Sequence, residues 1–214
     1  MNIKRITWLL FVLAIFVFST TDIFGYGYGT RGKDTLVAVY EDIVGFIEEN
    51  NYEAIKKETE KIEVPLSNYH KYYSIDLRQV FVQAIEQKDA DALIRNMEQL
   101  IYFAVREKLY WNNKEKLEKG VAANARLRVV LQYYMLFKPK IEKYDKENSI
   151  SLNSEIANLI VGMKKSLGTP GTFGYDAKPP DLEEFRKLSS RLEEVLVMIF
   201  PHFADGYKAV IKAH

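Results

Sequence analysis

The chain has 214 residues, with 30 Lys+Arg against 29 Asp+Glu, 48% hydrophobic and 28% charged residues, a composition that suits a packed globular protein and not a disordered one. A formal net charge of +1 supplies no field for non-specific nucleic-acid binding. With no Cys and only three His, the chain has no disulfide, thiolate metal site, covalent haem attachment, Cys nucleophile or His-rich metal centre.

Asn2-Ile3-Lys4-Arg5 is a basic start, Ile6–Phe18 is an apolar run broken only by Thr7, and Ser19-Thr20-Thr21-Asp22 turns polar ahead of Gly25. That order is a secretory signal peptide over residues 1–25, and the run is shorter than the roughly 20 residues of a spanning helix. Cleavage after Gly25 or Gly27 is expected. Removing residues 1–25 takes away Lys4, Arg5 and Asp22 and leaves a neutral remainder of 189 residues, enough for a single domain over 26–214 with its own core. The expected location is periplasmic or secreted. A membrane contact is expected only through an uncleaved signal segment.

The remainder reads as helices, because apolar residues recur at i, i+3, i+4 and i+7 and no stretch alternates over a strand length. Leu36 to Ile47 is the first helix, and Tyr52 to Ile62 is the second, ended by Pro65. Asp76 caps a third that carries Leu77, Val80, Phe81, Ala84 and Ile85, and after a break at Lys88-Asp89 a fourth carries Leu93 to Val105. A fifth runs from about Glu115 to Tyr144, with a kink or an end expected near Phe137 because of Pro139. Leu152–Leu167 is the sixth, stopped by Gly168. Residues 168–180 form a long Gly- and Pro-rich loop. Asp181-x-x-Glu184 then opens a helix through Ile199, and Pro201 bends or closes it before a short terminal helix. The predicted fold is all-α, a helical bundle of about six helices, with Val44, Ile47, Val80, Leu100, Val129, Leu136, Ile160, Leu192 and Val195 in its core.

Two segments repeat at a spacing of 38 residues. Phe46–Ile55 lies over Ala84–Leu93, with Ile47 on Ile85, Glu48 on Glu86 and Ala54 on Ala92. Each copy is helix, polar break, small residue, helix. These turns resemble the inter-helix turn of tetratricopeptide-type hairpins, a likeness confined to the turns, since the Trp, Gly and Pro signature positions of that family are absent. Two helical hairpins within a bundle account for the pattern.

Three constellations bear on function. The Tyr69-His70-Lys71-Tyr72-Tyr73 cluster is expected in a connector after Pro65, and Phe173 and Tyr175 sit in the long loop. Large rings with polar tips at backbone breaks suit a partner-binding surface built from Tyr69, His70, Tyr72, Tyr73, Phe173 and Tyr175. Arg106 and Tyr110 share a helix face, and Arg126 lies on the next helix; guanidinium groups beside an aromatic ring suit a carboxylate or phosphate ligand. Ion pairing of the same arginines with neighbouring Glu is the competing expectation. Glu-x-x-His, Gly-x-Ser-x-Gly and the phosphate-cradling Gly-rich signature are absent, and His202 with Asp205 supplies too few ligands for a closed metal site.

The expectation is a non-enzymatic binding or accessory protein of the cell envelope, with no cofactor and no nucleic-acid partner, that acts on another envelope protein. The alternative is a periplasmic protein that binds a ligand, metal or non-covalent haem for transport or electron transfer.

Overall fold

Polar caps set where the helices begin. The computed structural model describes residues 32–169 and 176–208, and these lie within a unit spanning residues 31–214. Asp34 accepts from the Leu36 amide and opens α1 (Thr35–Glu48). Asn51 accepts from Ala54 N and opens α2 (Tyr52–Thr59), and a 3-10 turn, Glu60–Ile62, leads into α3 (Glu63–Tyr73). Asp76 accepts from Arg78 N at the head of α4 (Arg78–Glu86), and Asp89 caps α5 (Ala90–Lys114). α6 (Gly120–Asn148) turns into α7 (Leu152–Ser166), whose first amides, Leu152 and Asn153, both donate to the Asp145 carboxylate of α6. Asp181 accepts from Glu184 N and opens α8 (Leu182–Ile199), which is followed by a 3-10 turn at Pro201–Phe203 and the five-residue α9 (Ala204–Lys208). Each acidic or amide cap satisfies an amide that the first helical turn leaves without a partner.

The described residues therefore form an all-α bundle with eight helices of eight residues or more, against an expectation of about six. The helix absent from the sequence reading is α3. Pro65 is its third residue and does not end α2: the first turn of a helix has no intrahelical use for an N–H, so Pro is tolerated there. The second departure is α6, which runs unbroken through Pro139. Pro139 and Met135, one turn earlier on the same face, are both solvent-exposed, so the carbonyl that loses its amide partner is on the wet side. Around the loop after α7, Gly168 sits at φ +71°, where a Cβ would strike the Lys178 carbonyl, and Thr169 and Lys178 exchange backbone hydrogen bonds.

The repeated turns are alike in detail. Asn50 and Lys88 both adopt the left-handed conformation at φ 53°. Asn51 N donates to Phe46 O and Asp89 N donates to Ala84 O, each at the same separation along the chain, and the next residue opens a helix in both. The two turns also touch: the Tyr52 hydroxyl donates to Lys88 O at 2.9 Å. The hairpins α1–α2 and α4–α5 thus stand side by side, with α2 against α4 and α1 against α5.

α5 is the axis. It packs against α1, α3, α4, α6, α8 and the terminal 3-10 turn, and its residues Leu100 to Val105 are buried without interruption, all round the helix. Of the expected core, Leu100, Ile160, Leu192 and Val195 are buried. Ile47, Val129 and Leu136 are half-buried against it, Val44 is half-buried, and Val80 is 37% exposed. Leu77, Phe81 and Ala84 form the inward stripe of the α4 segment, which rotates Val80 to the rim. The matched caps predict matched losses: Asn51→Ala and Asp89→Ala should each lower stability by about 1 kcal/mol in denaturant melts.

Candidate functional site

The sequence-predicted residues meet around α5. Tyr69 and Tyr73 lie on α3 in helical register with Leu66, and all three are buried. This corrects the expectation of an exposed aromatic connector. The i, i+3, i+7 spacing of Leu66, Tyr69 and Tyr73 carried the helix signal, and those rings face the core, not a partner. Tyr73 stacks on Phe103 at 4.7 Å and donates to Phe103 O, while Tyr69 donates to Glu107 Oε2 at 3.1 Å. His70 lies on the exposed side of the same helix. The Tyr72 side chain, Phe173 and Tyr175 lie outside the described residues.

Arg106 is one helical step beyond the dry stretch of α5. Its Nε donates to Glu193 Oε2 of α8 at 2.9 Å, its Nη1 donates to the Gly206 carbonyl, and its guanidinium lies 5.7 Å from the Tyr73 ring centroid. Burial pushes the Glu193 carboxyl above the ordinary carboxylate range even with Arg106 beside it. Arg126 of α6 turns to different partners: Glu115 Oε2 at 2.7 Å and Asn112 Oδ1 at 3.2 Å. Tyr110 sits edge-on to Trp111, and Lys114 is over both rings. The structure does not join Arg106, Tyr110 and Arg126 into one anion site; the arginines pair with carboxylates of neighbouring segments.

Two further groups were not singled out in the sequence. Tyr133 of α6 donates to Asp34 Oδ1 at 2.8 Å, and Asp34 N donates to Gln132 Oε1, so the head of α1 is fastened to α6. The other is Glu98, 1% exposed, at the opposite end of the dry stretch from Arg106. Lys140 Nζ of α6 is 2.5 Å from its Oε1, and His202 Nε2 of the terminal 3-10 turn is 3.4 Å from its Oε2. Tyr40 of α1 hydrogen-bonds the same carboxylate; burial first, and then the Glu98 charge, push its phenol up to about 12. Glu98 looked like one polar residue of an amphipathic helix, and the only sequence signal against that was the length of the apolar run after it.

A shallow groove of about 620 Å³ runs between α7 and α8, floored by Leu152, Leu159 and Leu188, with Glu155 on its rim held by Arg191 Nε at 2.7 Å. Among the described residues no group of three His, Asp or Glu is placed to hold a metal ion, and no helix is long and apolar enough to cross a membrane.

Two pH predictions follow from these contacts. Burial raises the phenols of Tyr69, Tyr73 and Tyr133 well above their ordinary value near 10, so their contribution is complete below that value and is lost only as pH rises far beyond it. Phenolate absorbance should show these rings ionising together with loss of helix; titration of every tyrosine near pH 10 with the helix signal intact would contradict the burial. Conversely, hydrogen bonds from Arg126 and Lys119 hold the Glu115 carboxyl down to about 2, so that contribution is present at neutral pH and is lost as pH falls toward 2. Arg126→Met should therefore lower the melting temperature more at pH 7 than near pH 2, the remaining loss at low pH coming from the Asn112 hydrogen bond.

No protein-family model, curated protein or solved structure matches this chain.

Proposed function

We propose that the chain is an exported, non-enzymatic binding or accessory protein of the cell envelope that works through protein–protein contacts. The observation that carries this reading is the pair of matched hairpins. α1–α2 and α4–α5 repeat one turn geometry and stand side by side, so they present neighbouring helix faces on one scaffold. Stacked helical hairpins of this kind build extended surfaces suited to contact with another chain. The polar groups around α5 support the same reading from another direction, because Arg106, Arg126 and Glu107 are engaged in holding helices together.

Export rests on the basic, apolar, polar order of residues 1–25. N-terminal sequencing of protein recovered from the envelope fraction should begin near Tyr26 or Tyr28. The contact reading is tested in the same cells with a photo-crosslinking residue at His70, which is exposed on α3, and at Val82, which is 53% exposed on α4. A discrete adduct with an envelope protein is expected from one of these positions. Protein that keeps Met1 in the cytoplasm ends the export reading. Purified protein carrying stoichiometric metal or a visible chromophore, with no adduct, ends the contact reading.

A further inference from the structure

The outer face of α7 is uncharged over three turns. Ile156, Ile160 and Met163 turn to the core and are buried. Glu155 and Gly162 turn to α8, where Arg191 Nε bonds Glu155 at 2.7 Å and a Cβ on Gly162 would meet Leu188 Cδ1. Ser151, Ser154, Asn158 and Val161 follow i, i+3, i+7 and i+10 steps along the remaining side, and all four are exposed, Val161 at 51%. The one charge between Ile150 and Met163 is Glu155, and Arg191 of the same chain pairs with it. The other exposed helix faces are different: α2 shows Glu53, Lys56 and Lys57, the end of α6 shows Lys143, Lys146 and Glu147, and α8 shows Glu183, Arg186 and Lys187.

This face holds both a groove and a knob. The groove of about 620 Å³ over Leu152, Leu159 and Leu188 opens beside Ser154 and Asn158, and Val161 stands one turn past Asn158. A second copy laid antiparallel across a two-fold axis at Asn158 brings knob to groove twice, because positions 161 and 155 are equally far from 158. Gly162 then faces Ser154 of the other copy, which lets the backbones approach. The two Asn158 amides meet on the axis, each offering a donor and an acceptor to the other. Across a two-fold axis a surface meets itself, so a face with net charge repels its copy, whereas a face whose single carboxylate is already paired does not. Three turns of helix are about 16 Å long, so the contact is at the small end of specific interfaces and weaker than about 1 μM.

We propose that the α7 face is a homodimer interface: two copies of this chain pack α7 on α7 antiparallel about Asn158, and Val161 of each sits in the α7–α8 groove of the other. α7 and α8 take no part in the matched hairpins, so the dimer goes beyond the function proposed above and does not depend on it.

Sedimentation of the full chain recovered from cells tests this. Between about 1 μM and about 1 mM the average mass should climb from one chain toward two. Val161→Glu, at an exposed position, should keep the melting temperature and weaken association at least about tenfold, since a carboxylate would enter an apolar groove beside Glu155. Asn158→Asp places two like charges on the axis; it should weaken association by a similar factor and carries the measurement if Val161→Glu does not fold. Met135→Glu, equally exposed on α6, should leave the mass curve unchanged. The chain has no Cys, so Asn158→Cys introduces a single thiol, and mild oxidation should join two copies at least about tenfold faster than with Val121→Cys on α6. The dimer is refuted by a mass that stays at one chain throughout, by association that persists unchanged in the folded variants at 158 and 161, by equal loss in Met135→Glu, or by equal cross-linking of the two thiols. A different protein cross-linked at position 158 in cells, with the purified chain single, gives the face to that protein and also refutes the dimer.

Discussion

Burying a whole turn of α5 on every side is the constraint that the rest of the molecule answers. Leu100 to Val105 have no wet face, so each neighbour of this helix must bring apolar area to it: α1, α3, α4, α6, α8 and the terminal turn. Such a helix cannot be stable on its own, because its packing contributes most of its stability. The charges come where the dry turn ends. Glu98 and Arg106 are eight positions apart, about 12 Å along the axis, and neither can leave its charge unpaired in that setting. Glu98 collects Lys140, His202 and Tyr40, and Arg106 collects Glu193 and the Gly206 carbonyl.

Much of the local structure was legible in the sequence because it is decided within a few residues. Asp181-x-x-Glu184 and the breaks at Asn51 and Asp89 each act through one side-chain oxygen and the amide three positions on. The hairpin repeat was visible for the same reason, since the left-handed residue and the cap that follows it are fixed by neighbours. What was misread depends on orientation. Pro65 looks the same in a list whether it ends one helix or begins another. Tyr69 and Tyr73 differ from His70 only in which way their helix is turned, and α5 decides that from 30 or more residues away.

The candidate site was less legible than the fold, and the reason is electrostatic. Arginines beside aromatic residues suggest an anion site in any single-sequence reading, but whether they bind a ligand or a neighbour depends on where the carboxylates fold. Glu193 reaches Arg106 from 87 positions away, and Glu115 reaches Arg126 from 11. Glu98 is the opposite case. It reads as a solvated charge, and it is the most deeply buried acid among the described residues because three other elements close over it.

Buried ion pairs of this kind contribute little net stability, since the desolvation of both partners offsets most of their attraction. An apolar side chain at position 98 could pack at least as well as Glu98 does. What it would remove is a polar neighbour of the segment Pro201–Phe203. Phe200 and Phe203 supply apolar area and stacked rings to the core, while the Gly206 carbonyl on Arg106 and His202 beside Glu98 mark two polar points along α5 that the segment must meet. Asp34, held by Tyr133 and Gln132, does the same for the head of α1. The apolar residues thus account for why the chain collapses around α5, and the few buried polar contacts account for the register in which its first and last described segments lie on that core.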